Sequence, residues 1–415
     1  MTKPKIRIQG FEEEWKNVEL GELGHTMSGV GFPDSEQGQT EGFPFYKVSD
    51  MNLPGNEYRM SRSNNYVSQY QVDTNHWRVL YDTPAILFAK VGAAVMLNRK
   101  RIVDSPCLFD NNMMVYVLSS FWDTSFARSF FESIDFKRFV QTGALPSING
   151  KEVEFACVHL PSDKKEQKVL GEYFDIIDTL VSKSQDKLNS LKSLKICYLN
   201  RLFPIGGGRK IPPIRLEGFS GEWEVKKLKD LTNRITRKNT GLVSNRALTI
   251  SAQYGLIEQE SFFNSRIASS NLANYYLLYK GEFAYNKSTS QGYPFGAVKR
   301  LDLYESGVLS TLYIVFEIND NIVDSDYLAA YFNTTLWHNE IRLRAAEGAR
   351  NHGLLNISAE DFFDINIYLP KSLDEQKTIG KYFKEMEQLI YLHSEELERL
   401  KQLKQSCLES MFVNP

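Results

Sequence analysis

One long stretch of this chain occurs twice, and this repeat limits the possible folds more than any other feature of the sequence. The stretch from Asp163 to Leu202 returns from Asp374 to Met411, and aligning Gln167 with Gln376 gives an offset of 376 − 167 = 209. At that offset several identities fall in one register: Leu160 and Leu369, Pro161 and Pro370, Glu166 and Glu375, Gly171 and Gly380, Tyr173 and Tyr382, Phe174 and Phe383. This many identities in a single register indicate a tandem duplication.

Each copy of the repeat predicts one long helix with a narrow apolar stripe. Apolar residues recur every seven positions, with a second row three or four residues on, as in a coiled coil. Asp163 and Asp374 each follow a proline and are predicted N-caps. A buried helix in an ordinary core is the alternative, but one face of each helix is polar throughout. We expect the two helices to pair through these residues: Leu170, Ile177, Leu191, Tyr198, Ile379, Met386, Leu400 and Cys407.

The duplication extends beyond the helices to the start of each half. Phe11 and Trp15 return as Phe219 and Trp223 at an offset of 208, each pair within a similar local sequence. Between these anchors, at about 24–142 and 232–351, the halves show little similarity. One scaffold that carries two different binding surfaces is the simplest interpretation.

The divergent segments predict mixed α/β structure. Residues 85–91, 113–118, 282–285 and 311–318 are predicted strands, and 121–142 and 325–346 are predicted helices. The predicted domains are a first globular domain at 1–161, a long helix at 162–203, a Gly/Pro linker at 204–212, a second globular domain at 213–370 and a second long helix at 371–415. The fold class is therefore two mixed α+β domains, related by an internal pseudo-two-fold duplication and separated by an antiparallel pair of helices.

Composition excludes several protein classes. Lys and Arg number 49 against 51 Asp and Glu, so any nucleic-acid surface must be local. The four cysteines form no CxxC pair and no histidine lies at metal-ligand spacing, which favours free thiols in a reducing compartment. Neither a signal peptide nor a membrane span is predicted, so we expect a soluble cytoplasmic protein.

Motifs for catalysis are missing from the sequence. The only Pro-Pro pair, Pro212-Pro213, lacks the Asn or Asp and the aromatic residue of a methyltransferase base-holding loop. No GxxxxGK[ST] phosphate loop is present, which argues against ATP binding. The six histidines are scattered along the chain. We therefore predict no catalytic residue, no metal site and no cofactor in this chain.

Local clusters of basic residues, mixed with amides and hydroxyls, lie in the divergent segments. Lys and Arg can contact phosphates, and Arg, Asn, Gln and Ser can contact base edges. A charge cluster is more often an ordinary solvated surface, but here such clusters occur in both halves. The candidate DNA-binding residues are Lys90, Arg99, Lys100, Arg101, Arg234, Arg237, Lys238, Lys287, Ser288, Gln291, Arg344, Arg350 and Asn351.

The chain resembles the specificity subunit of type I restriction–modification systems. The resemblance covers nearly the whole chain and is carried by Leu160-Pro161 with Glu166-Gln167, by Leu369-Pro370 with Glu375-Gln376, by Ile86–Gly92 and by Asn356–Ser358. It implies two target recognition domains held apart by antiparallel helices, each domain reading half of a split DNA sequence. It further implies that two methyltransferase subunits dock on the helices and bring S-adenosylmethionine. Restriction subunits would bring ATP-driven translocation, with Mg²⁺, and cleavage.

Two readers at a fixed separation gain specificity together, and different readers imply an asymmetric site of two half-sites flanking an unread spacer. Two other functions remain open at this point. A coiled-coil adaptor with two protein-binding heads would show no salt-sensitive retention of duplex DNA, whereas a DNA reader would. A self-contained DNA methyltransferase would bind S-adenosylmethionine as the isolated chain.

Overall fold

The computed structural model describes residues 3–141, 145–251, 255–260, 271–290, 292–345 and 355–413. The chain forms two compact units. Unit 1 comprises Met1–Gln185 and Glu395–Pro415, and unit 2 comprises Asp186–Ser394. Each of the two long helices therefore contributes one part to unit 1 and the other part to unit 2.

Unit 1 is a mixed α/β structure. Its strands are β1 (Lys16–Glu19), β2 (Gly24–Ser28), β3 (Phe43–Tyr46), β4 (Tyr66–Val67), β5 (Ala85–Ala89), β6 (Lys100–Val103), β7 (Leu108–Phe109), β8 (Met113–Leu118), β9 (Val140–Gln141), β10 (Ser147–Ile148) and β11 (Cys157–Leu160). Its helices are α1 (Leu20–Leu23), α2 (Gln69–Thr74), α3 (Thr124–Ser133), α4 (Gly150–Glu154) and the first part of α5 (Lys164–Arg201).

Unit 2 has the same class of structure. Its strands are β12 (Glu224–Lys227), β13 (Thr232–Ile235), β14 (Leu248–Ser251), β15 (Gly255–Glu258), β16 (Tyr276–Tyr279), β17 (Phe283–Asn286), β18 (Ala297–Arg300), β19 (Ser306–Leu309), β20 (Ile314–Ile318) and β21 (Asn366–Leu369). Its helices are α6 (Leu228–Leu231), α7 (Ser325–Tyr331), α8 (Leu336–Arg344), α9 (Ala359–Phe363) and the first part of α10 (Leu373–Met411).

The central sheets of the two units have the same topology. Unit 1 has the strand order β2-β8-β5-β6 and unit 2 has β13-β20-β17-β18, with every neighbouring pair antiparallel. In each unit a separate two-stranded ladder, β1 with β11 or β12 with β21, joins the start of the unit to the strand that precedes its long helix. The predicted fold class, two copies of a mixed α/β domain with two long helices, is confirmed.

The predicted strands all form, but each of the two shorter predicted helices is interrupted. The helix predicted at 121–142 ends at Ser133, and the one predicted at 325–346 breaks between Tyr331 and Leu336. After Ser133 the backbone is held by the amide of Asn98, which donates to Ile134 O and accepts from Phe136 N. Polar side chains that bind nearby backbone groups in this way compete with helix continuation.

α5 begins and ends within two residues of the predicted 162–203, and α10 begins two residues after the predicted 371 and ends at Met411, four residues before the predicted 415. Asp163 accepts a hydrogen bond of 2.8 Å from Lys165 N, as expected of a residue that caps α5. The N-cap prediction for Asp374 is wrong, because α10 already begins at Leu373. Asp374 lies instead in the first turn, where its charge favours the positive end of the helix dipole. At the repeat offset of 209, the residue equivalent to Asp163 is Ser372, which lies just before α10.

Within each unit the two helices run antiparallel. In unit 1 the Phe174 ring stacks on Phe412 at 5.3 Å, and the next turn pairs Asp178 with Lys404. In unit 2 the Tyr198 ring contacts Tyr382 at 5.3 Å. Of the proposed interface residues, Leu170, Ile177, Ile379 and Met386 are buried, and Leu191, Tyr198, Leu400 and Cys407 are half-buried. No helix in the described part of the chain is long and apolar enough to cross a membrane.

Candidate nucleic-acid interface

Glu166 connects the start of unit 1 to α5. Its carboxylate accepts two hydrogen bonds of 2.8 Å from Arg7 and one of 3.2 Å from Trp15 Nε1. Glu375 does the same in unit 2, with bonds of 2.9 and 2.7 Å from Arg215 and 3.2 Å from Trp223 Nε1. The repeated Glu is therefore a structural residue of the frame, by which we mean the parts of the two halves that are similar in sequence.

The repeated Gln positions the helix that packs on each sheet. Gln167 Oε1 accepts from Asp123 N at 2.8 Å, and its amide nitrogen donates to Pro161 O. Asp123 in turn caps α3 by accepting from Phe126 N at 2.9 Å. Gln376 makes the equivalent bonds to Asp324 N, at 2.9 Å, and to Pro370 O, and Asp324 caps α7. The frame thus fixes one side of each domain, and the divergent loops lie elsewhere.

The unit 1 edge, where β2, β3 and β5 end and β6 begins, carries three cations with neutral partners. Lys90 Nζ donates to Ser28 Oγ at 3.1 Å, and Lys47 Nζ donates to Gln37 Oε1 at 3.0 Å. Arg99 donates from Nη1 to Asn52 Oδ1. A hydrogen bond to a neutral partner does not offset the charge of a cation, so Lys90 and Arg99 are suited to bind phosphate. Lys47 also lies close enough to Asp110 for its charge to act on the pKa of that carboxyl. The name unit 1 edge refers below to Lys47, Lys90 and Arg99 together with their partners Ser28, Gln37 and Asn52.

Two carboxyl groups lie beneath the unit 1 edge, and both are buried. Asp50 accepts from Lys47 N at 2.8 Å and from Asn64 Nδ2 at 2.7 Å, so its charge is used inside the domain. Burial raises the pKa of Asp110, although hydrogen bonds from Asn112 and the charge of Lys47 act against that rise. The three cations are half-buried, whereas the two acids are shielded from solvent.

Lys100 and Arg101 serve the fold of unit 1. Lys100 is buried, donates to Asn98 Oδ1 and Ile134 O, and lies 4.5 Å from the Phe136 ring centroid. Burial lowers the pKa of Lys100 to about 7, against weaker opposing effects of Asp135 and Glu132. Arg101 donates to two backbone carbonyls, those of Asn56 and Lys100. Their side chains are occupied inside the domain, and neither belongs to the proposed interface.

Lys287 occupies in unit 2 the position that Lys90 occupies in unit 1. Each follows the third strand of a sheet with the same order. The backbone oxygen of each accepts a hydrogen bond from a residue later in the chain, Lys90 from Ile148 N of β10 at 2.9 Å and Lys287 from Leu355 N at 3.0 Å. Ser288, the next residue, is exposed. Among the described residues no carboxylate hydrogen-bonds to either lysine.

Arg237 and Lys238 lie away from Lys287. Arg237 donates to both oxygens of Glu282 at 2.7 Å and lies 4.4 Å from the centroid of the Tyr279 ring. Glu282 precedes β17, whereas Lys287 follows it. Lys238 donates to Asn274 O and lies 4.1 Å from the centroid of the Tyr276 ring. The structure thus places these two groups of candidate residues at opposite ends of β17.

The remaining candidates divide into three groups. Arg234 is exposed on β13. Arg344 is held by Glu340 and Asp364, and Asp364 has a pKa well below its usual range, first because Lys229 and Lys227 donate to it. Gln291, Arg350 and Asn351 lie outside the described residues. Sequence reasoning missed Lys47, Gln37 and Asn52; the position of Lys47 directly after a short aromatic strand was the available signal.

Comparison with known proteins identifies relatives of this arrangement. A family model described as the type I restriction modification DNA specificity domain matches residues 12–193 and, a second time, residues 220–402. The S subunit of a type I restriction–modification system from M. genitalium is similar in structure, with a TM-score of 0.62, 13% identity and 100% of both chains covered. A second chain comes from a study of complex assembly and conformational transition of the type I system. It has a TM-score of 0.52 and 14% identity, and the match covers 96% of this chain and 97% of that one.

At identities this low the two structural matches show a shared fold only. No curated protein sequence matches the chain. The family model is independent of those structures and covers well over half of the chain in two repeats.

Proposed function

The chain belongs to the family of type I restriction–modification DNA specificity domains, and we propose that units 1 and 2 each read one half of a two-part, asymmetric DNA sequence. Recognition of DNA follows from the family. The division of labour rests on one observation: the family model matches twice, and each match contains the same sheet with a lysine after the same strand. Two equivalent frames presenting different loops can read two different half-sites.

Lys90 and Lys287 are proposed as equivalent phosphate contacts. Both lysines follow a buried strand. A hydrogen bond to the backbone oxygen of each lysine fixes the position of its backbone. Phosphate contacts set the register of a protein on DNA, and base contacts supply the sequence preference. Equivalent lysines would therefore place both units on the DNA backbone in the same way.

The groups around the two lysines differ, which supports different half-sites. The unit 1 edge adds Lys47 and Arg99, with amide side chains from Gln37 and Asn52 that can reach base edges. In unit 2 the neighbours of Lys287 are small hydroxyl residues, beginning with Ser288. The base-reading side chains are thus expected to differ between the units.

We propose that methyltransferase subunits dock on the exposed faces of the long helices. On α5, four exposed apolar residues recur at intervals of four, three and four, which places them on one stripe of the helix: Val169, Tyr173, Ile176 and Leu180. On α10, Leu389 and Leu392 are exposed in a similar way. Contiguous apolar side chains on a solvent-facing helix indicate a protein partner.

The family is a non-catalytic specificity component, and we propose that this chain alone neither methylates nor cuts DNA. Methyltransferase partners would supply S-adenosylmethionine, and restriction subunits would supply ATP-dependent translocation and cleavage with Mg²⁺. The proposed complex is therefore a site-specific modification and cleavage enzyme that this chain directs. Cofactor crosslinking to the isolated chain would contradict this assignment.

The test is DNA binding by the complex of this chain with methyltransferase subunits, for wild type, Lys90→Gln, Lys287→Gln and the double variant. Each single change should reduce the slope of log affinity against log salt by about one, and the double change by about two, with the preferred sequence unchanged. Lys168→Gln, an exposed residue on α5, is the matched control and should leave the slope as it is. Unchanged slopes for Lys90→Gln and Lys287→Gln would contradict the proposed contacts.

A further inference from the structure

Two ion pairs link the long helices at equivalent positions, one in each unit. In unit 1 Asp178 of α5 lies 2.7 Å from Lys404 of α10. In unit 2 Lys195 of α5 lies 2.6 Å from Glu387 of α10. The two acids differ by 387 − 178 = 209 positions, and so do the two lysines, 404 and 195. Each helix thus carries one acid and one lysine at equivalent positions. α5 contributes the acid in unit 1 and the lysine in unit 2.

The unit 1 pair is buried in an otherwise largely apolar stripe. Asp178 and Lys404 are each less than one tenth exposed. Arg128 also pairs with Asp178, and Lys404 also contacts Glu132 and lies 4.7 Å from the centroid of the Tyr58 ring. In unit 2 Glu387 is about half exposed, and Asn333 donates to it at 3.1 Å. A buried ion pair contributes little net stability, but leaving one partner alone is costly.

The apolar stripe by itself does not define a unique alignment of the helices. Except at Ser184 and His393, apolar residues recur every seven positions, so a shift of seven residues would again place mostly apolar residues opposite apolar ones. After such a shift Asp178 would face Leu397 or Met411, and Glu387 would face Leu188 or Leu202.

The lysines would lose their partners in the same shift. Lys404 would face Gly171 or Gln185, and Lys195 would face Gly380 or Ser394. Every one-heptad shift therefore separates both pairs at once, because each helix is continuous and carries one acid and one lysine. In unit 1, where Asp178 and Lys404 are buried in a largely apolar stripe, the loss of both partners makes the shifted alignments unfavourable.

We propose that Asp178–Lys404 and Glu387–Lys195 are positioning residues that select one alignment of the antiparallel helices. They act by excluding shifted alignments and add little to the strength of pairing. If the helices carry the two DNA-reading units as proposed above, the same residues also set which half-site separation is accepted. The alignment itself can be measured without DNA, so its test stands apart from the proposed function.

The test uses chemical crosslinking of the full-length chain through cysteines. Cys157 and Cys197 are exchanged for Ser, which leaves Cys407 as the accessible native thiol. Tyr173→Cys then reports the native alignment, because the Tyr173 hydroxyl lies 3.4 Å from Cys407 Sγ. Leu180→Cys reports a shift of one heptad, since it lies about 10 Å along α5 from position 173. A short bismaleimide joins each introduced thiol to Cys407.

A pair-free variant decides whether the ions select the alignment. It combines Asp178→Leu, Lys404→Met, Glu387→Leu and Lys195→Met. With the native ion pairs, only the Tyr173→Cys reporter should crosslink to Cys407. In the pair-free variant the crosslink of the Leu180→Cys reporter should rise at least about fivefold, as expected when the penalty on shifted states is removed. In a folded pair-free variant, an undiminished crosslink of the Tyr173→Cys reporter with no gain at the Leu180→Cys reporter would overturn the proposal.

A second comparison keeps the test decisive if the pair-free variant does not fold. Glu387→Lys places two lysines opposite each other and should lower the crosslink of the Tyr173→Cys reporter. Adding Lys195→Glu restores an ion pair with the opposite polarity and should restore that crosslink. Failure of the exchanged pair to restore it would show that these residues act through packing only, and the proposal would be wrong.

Discussion

Arg7 binds Glu166 across 159 positions of sequence, through two parallel hydrogen bonds of 2.8 Å to the two carboxylate oxygens. The bidentate geometry is the strongest form of such a contact. Hydrogen bonding by Glu166 is the main reason that the pKa of Arg7 is raised. Through this pair, the residues before the first strand become part of the same structure as the long helix.

Removing the acid of this pair should destabilise its own unit. Glu166→Ala leaves Arg7 and Trp15 Nε1 without their acceptor, and breaking a buried pair in this way costs about 3–5 kcal/mol. Hydrogen exchange read by mass spectrometry, segment by segment, should show loss of protection in unit 1. Glu375→Ala should produce the same loss in unit 2.

The matched control is Glu172→Ala on the same helix. Its only ion-pair partner in the described residues is Lys168, at 3.9 Å, and both side chains are mostly exposed. An exposed pair of this kind contributes about 0–1 kcal/mol. Equal losses of protection for Glu166→Ala and Glu172→Ala would show that the pair with Arg7 has no special role.

Gly171 and Gly380 lie where a second helix begins against the long one. A Cβ at Gly171 would be 2.6 Å from Phe126 N, and one at Gly380 would be 2.4 Å from Tyr327 N. Replacing a helical glycine with alanine normally stabilises by up to about 1 kcal/mol. Here the clash is with backbone, so Gly171→Ala and Gly380→Ala should instead destabilise by about 1–3 kcal/mol. Thermal unfolding measures the sign, with exposed Ser190→Ala as the control; a stabilised Gly171→Ala would contradict the packing argument.

Lys100 predicts a pH dependence of stability. Its pKa is lowered from 10.5 to about 7 by burial, so between these values the unfolded chain holds one more proton than the folded one. Stability is therefore gained as the pH rises from about 7 towards 10.5, and it is lost again as the pH falls back to 7. The slope due to this one group approaches about 1.4 kcal/mol per pH unit.

The difference in unfolding free energy between wild type and Lys100→Met isolates that slope. Other titrating groups cancel in the difference, which should change by roughly 2 kcal/mol between pH 7 and 9 and become flat below about pH 6. Exposed Lys137→Met is the control and should give a flat difference. A flat difference for Lys100→Met as well would show that Lys100 is charged or solvated in the folded protein.

In both units, a backbone hydrogen bond joins the end of one long helix to a residue near the start of a globular half. Ile6 N donates to Ser410 O at 2.9 Å in unit 1, and Ile214 N donates to Arg201 O at 2.9 Å in unit 2. Twelve residues, 202–213, connect Arg201 to Ile214. If the termini were fused directly, ten residues, 411–415 and 1–5, would connect Ser410 to Ile6.

A circularly permuted chain should therefore fold. The two termini are joined through two added glycines, and new ends are opened at Gly207. Binding to a two-part DNA site should stay within about threefold of the parent, because chain ends in exposed loops are well tolerated. The control opens the chain inside β17, between Ala284 and Tyr285, and should not fold. Loss of binding by the Gly207 permutant would show that the native linker has a further role.

Much of this architecture can be read from the sequence alone. The offset of 209 revealed two copies, the seven-residue spacing revealed helices that pair, and short continuous apolar runs located β5, β8, β17 and β20. These features depend on local periodicity and on identities between the copies, which are present in the chain whatever its fold. The repeated Glu-Gln dipeptide was also visible, although its partners were not.

The surroundings of each charged residue could not be predicted from the local sequence. Lys90 and Lys100 are ten positions apart and chemically alike, yet one lies at the unit 1 edge and the other is buried against Phe136. Arg237 has a carboxylate partner 45 positions away in Glu282. A side chain's surroundings depend on strand order and on distant partners, and a local pattern contains neither. Local periodicity and repeated residues therefore specify the frame, whereas long-range packing specifies which charged side chains lack a carboxylate partner among the described residues.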